Sequence, residues 1–313
     1  MARVLVTRQL PGTALERLTA HHEVDLFAGS TPPSRAELLE RVGAAEAMLC
    51  LLSERVDAEL LERCPNLRAI ANYAVGTDNI DLDECERRGI PVGNTPGVLT
   101  EATADLAFAL ILATARRVVE GADAVRAGEW RTFSPDGWLG VDVHGATLGI
   151  VGAGRIGMAV ARRAAGFEME VLLSGSRPGP GRIELAELLG RADFVSLHCP
   201  LGPATRGLIG AEQLRLMKPS AILINTARGE VIDQEALREA LERGEIAGAG
   251  LDVTTPEPLP PDDPLLAAPN VTVLPHIGSA SESSRAAMAD LAVDNLLAAL
   301  AGEPMPHPVV PRS

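Results

Sequence analysis

Short apolar runs alternate with helix-like segments over residues 147–275 of this 313-residue chain. The strand-like runs are TLGIV, MEVLLS, DFVSLH, AILIN, AGAGLDV and VTVLP, and segments such as RIGMAVARRAA and QEALREALERG stand between them. This alternation predicts a parallel, doubly wound sheet with helices on both faces. The second half of the chain is therefore expected to form an α/β domain.

The first hundred residues repeat the pattern more loosely. The runs RVLVTR, AMLCLL, LRAIANY and IPVGN predict a second, smaller α/β domain. Two long helical segments, residues 100–128 and the run SESSRAAMADLAVDNLLAALAG, are expected to connect the domains, and the second returns the chain to the first domain. The predicted domains are 1–99 plus 283–313, and 100–282. The ending GEPMPHPVVPRS contains too many prolines for a helix and is expected to be extended.

Composition excludes several classes of function. The chain carries 28 basic and 42 acidic residues, a net charge of −14, and only 3% aromatic residues, which argues against a nucleic-acid partner. The best apolar run, LAFALILATA, is too short to span a bilayer, and the start has no signal-peptide core. The four cysteines show no metal-ligand spacing and are expected to be reduced thiols. We predict a cytoplasmic protein without a metal site.

The segment GAGRIG, residues 152–157, stands between a predicted strand and a predicted helix. In this context Gly152 permits a tight turn, Gly154 lets the backbone approach a pyrophosphate, and Gly157 allows close helix packing. The pattern predicts a dinucleotide site, with a purely structural glycine turn as the alternative. We therefore predict two Rossmann-like or flavodoxin-like α/β domains built on doubly wound parallel sheets, with an active-site cleft between them.

Polar side chains follow the later predicted strands, at the sheet edge where ligands bind in open parallel sheets. They are His198, Thr226, Arg228, Asp252 and His276. Arg228 has the planar fork that suits a carboxylate, although a surface arginine is the alternative. Glu257, five residues after Asp252, is expected to orient His276 and favour its protonated form for proton donation. The alternative for Glu257 is a solvated loop carboxylate, and the alternative for His276 is a half-buried structural histidine. His198 is expected to support the cofactor loop.

These motifs together resemble one known family. The segments VGTDNIDLDECERRGIPVGNTPGVLTEATADLA, GAGRIG, HCPLGPAT, INTARGEVID, GLDVTTPEPLP and LPHIGSAS resemble, in order and spacing, the D-2-hydroxyacid dehydrogenases, and more narrowly their glyoxylate/hydroxypyruvate reductase branch. The resemblance covers nearly the whole chain. It implies NAD(P)H-dependent reduction of a small 2-oxo acid, such as glyoxylate or hydroxypyruvate, to the D-2-hydroxy acid.

The resemblance also assigns roles to residues. It implies that Arg228 binds the substrate carboxylate and polarises the keto oxygen, that Glu257 supports His276, and that His276 is the acid/base. The amides of Val75 and Gly76 would complete the carboxylate clamp, with Ser279 as a further substrate ligand. The implied cofactor ligands are Gly152, Gly154, Arg155, Ile156, Gly157, Ser174, Ser176, Arg177, Cys199, Pro200, Thr205, Thr226, Asp252, His276 and Gly278. A homodimer is implied, with Trp138 either near the partner's active site or packed within its own subunit.

The loop LLSGSRPG bears on the choice of cofactor. NAD sites usually place an acid at the end of the second strand, but Gly175 stands there, with no acid between Glu170 and Glu184. Ser174, Ser176 and Arg177 instead suit a 2′-phosphate. We predict NADPH as the preferred cofactor with NADH as possible; the alternative is a merely flexible loop.

Other functions remain open. Phosphoglycerate dehydrogenase is disfavoured by the missing cofactor-selecting acid, and formate dehydrogenase by Glu257, where that group carries a neutral amide. A dinucleotide-sensing corepressor-like scaffold, which can keep the same fold and residues, is the alternative from another class.

Overall fold

The computed structural model describes residues 1–175, 179 and 181–310. The chain divides into two compact units, Met1–Leu99 with Ala280–Ser313, and Thr100–Ser279. The return to the first unit thus begins at Ala280, slightly before the predicted residue 283.

The first unit is built on a five-stranded sheet. Its strands are β1 (Arg3–Val6), β2 (Glu23–Leu26), β3 (Ala47–Cys50), β4 (Ala69–Asn72) and β5 (Val92–Gly93). The helices before residue 100 are α1 (Ala14–His21), α2 (Arg35–Val42), α3 (Ala58–Arg63) and α4 (Leu82–Arg87). All strands are parallel, in the flavodoxin-like order β2-β1-β3-β4-β5. The sequence did not predict β2, a half-exposed edge strand with two acidic residues.

The second unit is built on a six-stranded parallel sheet. Its helices are α5 (Thr100–Ala115), α6 (Val118–Arg126), α7 (Arg155–Ala164), α8 (Leu185–Arg191), α9 (Ala211–Leu216) and α10 (Gln234–Glu242). Its strands are β6 (Thr147–Val151), β7 (Glu170–Ser174), β8 (Phe194–Leu197), β9 (Ile222–Asn225), β10 (Gly248–Leu251) and β11 (Val271–Val273). The order β11-β10-β9-β8-β6-β7 reverses direction between β6 and β8, where doubly wound sheets bind ligands.

Apolar layers cover both faces of the second sheet. Along β9, Ile222 and Ile224 pack into the layer that contains α5 and α7, whereas Leu223 packs into the layer that contains α8 and α10. Side chains alternate along a strand, so a continuous apolar run fits a strand buried on both faces. The prediction of doubly wound α/β units is confirmed.

One sequence expectation about a helix is wrong. The single helix expected over residues 100–128 is divided into α5 and α6, because Arg117 adopts a left-handed φ of +52° between them. The loop that carries Glu257, between β10 and β11, contains a short 3₁₀ turn, Pro264–Ala267. No described helix combines the length and apolar character needed to cross a membrane.

The C-terminal segment belongs to the first unit. Helix α11 (Glu282–Ala301) begins where the Ser281 side chain accepts a hydrogen bond from the Ser284 amide, and it ends at Gly302, with a φ of +82°. None of the described residues after Gly302 is helical, and Pro308 forms an antiparallel bridge with Gly93 of β5.

Candidate active site

The glycine turn after β6 has the features of a dinucleotide cradle. Gly152 has a φ of +99°, and a side chain there would place its first carbon 2.5 Å from the Cys199 amide nitrogen. A first side-chain carbon at Gly157 would lie 2.3 Å from the Gly152 carbonyl oxygen. At Gly154, in contrast, such a carbon would meet no atom of the described residues within 4 Å. The fold requires the first and third glycines, whereas Gly154 leaves open space at the N-terminus of α7.

His276 and Glu257 form a hydrogen-bonded pair in the second unit. The His276 Nδ1 atom lies 2.8 Å from Glu257 Oε2, and both side chains are partly exposed. His276 adopts a left-handed φ of +53°, and its amide donates to the Asp252 carbonyl at 3.0 Å. A left-handed non-glycine residue persists only where its surroundings hold it, and such residues cluster at functional sites.

Asp252 holds the loop that carries the histidine. Its two carboxylate oxygens accept hydrogen bonds from the amides of Ile277 and Gly278, each at 2.7 Å. Burial raises the pKa of Asp252, although these two bonds favour its ionised form. A side chain at Gly278 would place its first carbon 3.0 Å from Asp252 Oδ2, which accounts for the glycine. Asp252 is thus an anchor of the loop, and its role as a cofactor ligand stays a prediction.

Glu257 stays ionised although it is partly buried. Burial disfavours its charge, but the hydrogen bond and charge of His276, the Thr254 amide at 3.0 Å and the charge of Arg228 together lower its pKa. The effect of Arg228 on this pKa indicates that the three predicted catalytic residues share one electrostatic environment. The order of strands predicted that these three residues lie close together. For His276 and Glu257 the hydrogen bond shows it directly.

Arg228 is held by the backbone around it. The Asn225 side chain donates to the Arg228 carbonyl at 2.8 Å, and Arg228 Nη1 donates to the Ala227 carbonyl at 2.8 Å. A side chain at Gly229 would overlap the Thr254 carbonyl oxygen at 2.0 Å, so β9 and β10 approach closely beyond their ends. This close approach brings the Arg228 loop beside the loop that carries Glu257.

His198 has the contacts of a structural residue. Its Nε2 lies 2.8 Å from Ser196 Oγ and its Nδ1 lies 3.4 Å from Thr226 Oγ1. Burial lowers the pKa of His198 to about 4, so the ring is neutral at neutral pH. A neutral, doubly hydrogen-bonded ring is poorly suited to donate a proton to a substrate.

The other predicted ligands are distributed over both units. Val75 and Gly76 lie in the first unit, in the loop after β4, and Ser279 is the last residue of the second unit. The loop after β8 contains Cys199, Pro200 and Thr205, and the Thr205 hydroxyl closes it by donating to the Pro200 carbonyl at 2.7 Å. Arg155 and Ile156 begin α7. Among the described residues, no cluster of histidine, cysteine and acidic side chains is arranged to hold a metal ion.

Of the residues predicted to bind a 2′-phosphate, the structure describes only Ser174. Ser176 and Arg177 lie outside the described residues. Ser174 is buried at the end of β7, and its carbonyl accepts a hydrogen bond from the Gly152 amide at 2.9 Å.

Arg182 is a candidate 2′-phosphate ligand that the sequence analysis did not identify. A side chain at Gly175 would place its first carbon 3.7 Å from Arg182 Nη1, and Arg182 Nη2 lies 3.5 Å from the Ala153 carbonyl. Arg182 reaches this position because it forms a parallel bridge with Leu173 of β7. The only sequence signal was a second arginine beyond the proline-rich loop.

Fold and site together define a two-unit α/β protein with a dinucleotide-type glycine turn and a histidine–carboxylate pair. The family model for the D-isomer specific 2-hydroxyacid dehydrogenase NAD binding domain matches residues 108–278. A glyoxylate reductase of Korarchaeum cryptofilum is 52% identical, over 97% of this chain and 95% of the relative. The chain belongs to the D-isomer specific 2-hydroxyacid dehydrogenase family, which confirms the resemblance seen in its motifs.

Solved structures are similar over the full length. A protein of Thermus thermophilus has a TM-score of 0.94 and 54% identity, covering 98% of this chain and 100% of that one. An NADPH-dependent glyoxylate/hydroxypyruvate reductase of Sinorhizobium meliloti, in complex with NADP and malonate, has a TM-score of 0.86 and 33% identity, covering 100% and 99%.

The two glycines of the turn are expected to respond differently to alanine. Gly157→Ala should lower the free energy of unfolding by about 1–3 kcal/mol, because its new carbon would overlap a backbone oxygen. Gly154→Ala should cost less than about 1 kcal/mol but weaken dinucleotide binding more strongly, because it fills open space. Urea denaturation and fluorescence titration with NADPH would measure both effects, and the reverse ranking in either measurement would contradict the assignment.

Proposed function

We propose that the protein reduces a small 2-oxo acid, glyoxylate or hydroxypyruvate, to the D-2-hydroxy acid with a reduced nicotinamide dinucleotide. The observation that carries the proposal is the His276–Glu257 pair at the carboxyl edge of a sheet with an open dinucleotide turn. The 52% identity to a glyoxylate reductase supports the substrate class. The D configuration is inferred from the family alone.

The residues of the second unit suit this chemistry. The open space at Gly154 and the N-terminus of α7 would hold the pyrophosphate of the dinucleotide. The cofactor, when bound, supplies a hydride to C2 of the substrate. Glu257 holds Nδ1 of His276, which leaves Nε2 to give its proton to the substrate oxygen.

Arg228 binds the carboxylate in this proposal, and its charge stabilises the alkoxide as it develops. The ionised Glu257 stabilises the imidazolium before transfer, and the ring takes a new proton from solvent after product release. The amides of Val75 and Gly76 are proposed as further carboxylate ligands, and Ser279 as a neighbouring hydroxyl.

Turnover is the direct test. The purified protein should oxidise NADPH or NADH when glyoxylate is added, and His276→Ala should lower kcat/KM about 10²–10⁴-fold, the usual contribution of a general acid. His144→Ala is the matched control, because His144 is exposed and should leave the rate unchanged. Cofactor binding without turnover of any small 2-oxo acid would instead indicate a dinucleotide sensor.

The same assay over a range of pH tests the pair. The lowered pKa of Glu257 keeps this carboxylate ionised near neutral pH. Glu257→Gln removes the anion that favours the imidazolium, which is the reactive form for reduction, so reductive activity should be lost at a lower pH than in the parent. An unchanged pH profile would refute the pairing as a catalytic device.

We propose NADPH as the preferred cofactor. Gly175 carries no acid to repel a 2′-phosphate, and the Arg182 guanidinium lies beside it. The structurally similar Sinorhizobium meliloti reductase is NADPH-dependent, which supports the same preference here. Ser174, Ser176 and Arg177 stay proposed ligands of that phosphate.

Exchanging the charge at residues 175 and 182 should change the cofactor preference from NADPH toward NADH. Gly175→Asp with Arg182→Ala should raise KM for NADPH about 10–100-fold, the usual value of a charge-assisted hydrogen bond, and lower KM for NADH. The maximal rate should change little, because these groups lie far from the hydride. Arg191→Ala, which removes an exposed arginine paired with Glu170 and Glu187, is the control. Equal efficiency of the parent with NADH and NADPH would contradict the proposal.

We propose a homodimer formed through α6 and the segment that follows it. Large apolar side chains are exposed there: Val118, Val119, Val125, Trp130, Phe133, Trp138 and Leu139. Seven exposed large apolar side chains within residues 118–139 are more than the single scattered ones that need no explanation, and we take them to mark an interaction site. The Arg117 guanidinium lies 5.8 Å from the centroid of the Trp138 ring, and the half-exposed ring leaves surface for a partner subunit.

Light scattering tests this assembly. The particle should have twice the mass of the 32.8 kDa chain, and Phe133→Ser with Leu139→Ser should shift the equilibrium toward monomer, because both side chains are exposed in the isolated subunit. A fully active monomeric parent would contradict the proposal.

We also propose a cytoplasmic location. All four cysteines are free and buried. Burial raises the pKa of Cys64 to about 11 and that of Cys85 to about 12, which keeps both thiols protonated. Unpaired buried thiols are typical of proteins in reducing compartments.

A further inference from the structure

The loop after β4 is bound through three successive carbonyl groups. Each carbonyl of residues 74–76 accepts one hydrogen bond from within the first unit. The bonds are Thr95 N to Ala74 O at 2.9 Å, Asn94 Nδ2 to Val75 O at 2.8 Å, and Asn72 Nδ2 to Gly76 O at 2.8 Å. Two of the three donors are asparagine side chains, on residues that the motif analysis did not single out.

These bonds determine where the loop amides point. In a planar trans peptide the carbonyl and the next N–H lie on opposite sides of the chain. The N–H groups of Val75, Gly76 and Thr77 are therefore directed away from the three donors. None of these N–H groups has an acceptor among the residues that the structure describes, and Val75 is exposed. Successive unpaired amides of this kind form an anion-binding site.

Asn72 is rigidly held. It is fully buried, and its amide group also contacts the Asn79 side chain at 3.1 Å. Asn79 in turn donates to the carbonyls of Leu51 and Glu54, each at 3.0 Å, beyond the end of β3. The loop is thus connected through the side-chain amides of Asn72 and Asn79 to the segment that follows β3.

Asn94 is held from the other side. Its backbone amide donates to the His307 carbonyl at 3.1 Å, and its carbonyl accepts from Asn295 Nδ2 at 3.0 Å. Asn295 is fully buried in α11. The backbone position of Asn94 therefore does not depend on the bond to Val75, and its side chain can act on the loop alone.

We propose that Asn94 and Asn72 are positioning residues that direct the Val75 and Gly76 amides toward the carboxylate of the substrate. The inference rests on the proposed function, because that function supplies the anion. Neither asparagine touches the substrate in this assignment. Each acts by fixing a peptide plane, so that the amides are already oriented before the anion binds.

The test separates carboxylate binding from the other steps. Asn94→Ala should raise KM for glyoxylate about tenfold, as expected for one lost hydrogen bond that ordered the site. The value of kcat should stay within about threefold, since the carboxylate is bound alike in the ground and transition states. The NADPH dissociation constant should not change. Calorimetric titration with oxalate, a non-reducible carboxylate probe, should show the same weakening.

Two further variants control for charge and for general loss of stability. Asn94→Asp removes the same donor and adds a charge, and Asn270→Asp makes the same change where Asn270 Nδ2 donates to the Ala247 carbonyl at 2.9 Å in the second unit. We expect weaker oxalate binding in both Asn94 variants and parental binding in Asn270→Asp. If Asn94→Ala does not fold, Asn94→Ser takes its place, with the same expectation.

The outcomes are distinguishable. Weakening in Asn94→Asp alone would mean charge repulsion, and parental oxalate binding by Asn94→Ala would mean a merely structural asparagine; either result overturns the positioning role. An equal loss of NADPH and oxalate affinity would overturn it as well. A parent that binds oxalate but does not reduce glyoxylate would contradict the proposed function and leave the positioning role measurable.

Discussion

A parallel sheet directs the carboxyl ends of all its strands to one edge, and the candidate site depends on this constraint. Arg228 follows β9, the loop with Glu257 follows β10, and His276 follows β11. Residues far apart in sequence thus meet without any long excursion of the chain. The glycine turn follows β6 at the reversal of strand order, so the proposed cofactor and the proton donor share the same edge.

Backbone hydrogen bonds give this edge its rigidity. The carboxylate of Asp252 binds the amides of Ile277 and Gly278, which keeps His276 in a conformation that a free chain rarely adopts. In the first unit, asparagine side chains hold the Val75–Gly76 loop in the corresponding way. In both units, buried or half-buried polar side chains form hydrogen bonds with the backbone of a loop. The remaining polar groups of that loop are left available for a ligand.

The sequence predicted much of the fold and the central pair. Continuous apolar runs such as AILIN, which become strands buried on both faces, give an unambiguous signal, whereas β2 was missed because a half-exposed edge strand gives a weak one. The break between α5 and α6 was not predicted, because an arginine gives no sequence signal for the left-handed φ that Arg117 adopts. The Glu257–His276 pair was predictable because strand order alone places their loops side by side.

The amino-acid sequence was sufficient to show which residues follow which strands and which glycines stand in the turn, because the order of strands and helices is local information. The folded chain was needed to show that Asp252 anchors the histidine loop, that Arg182 returns to Gly175, and that Asn72 and Asn94 bind the loop after β4. These contacts join segments whose separation along the chain carries no periodic signal. Their geometry follows from the way whole helices and strands pack. A shift of a fraction of an ångström in the donor–acceptor distance decides whether a hydrogen bond forms.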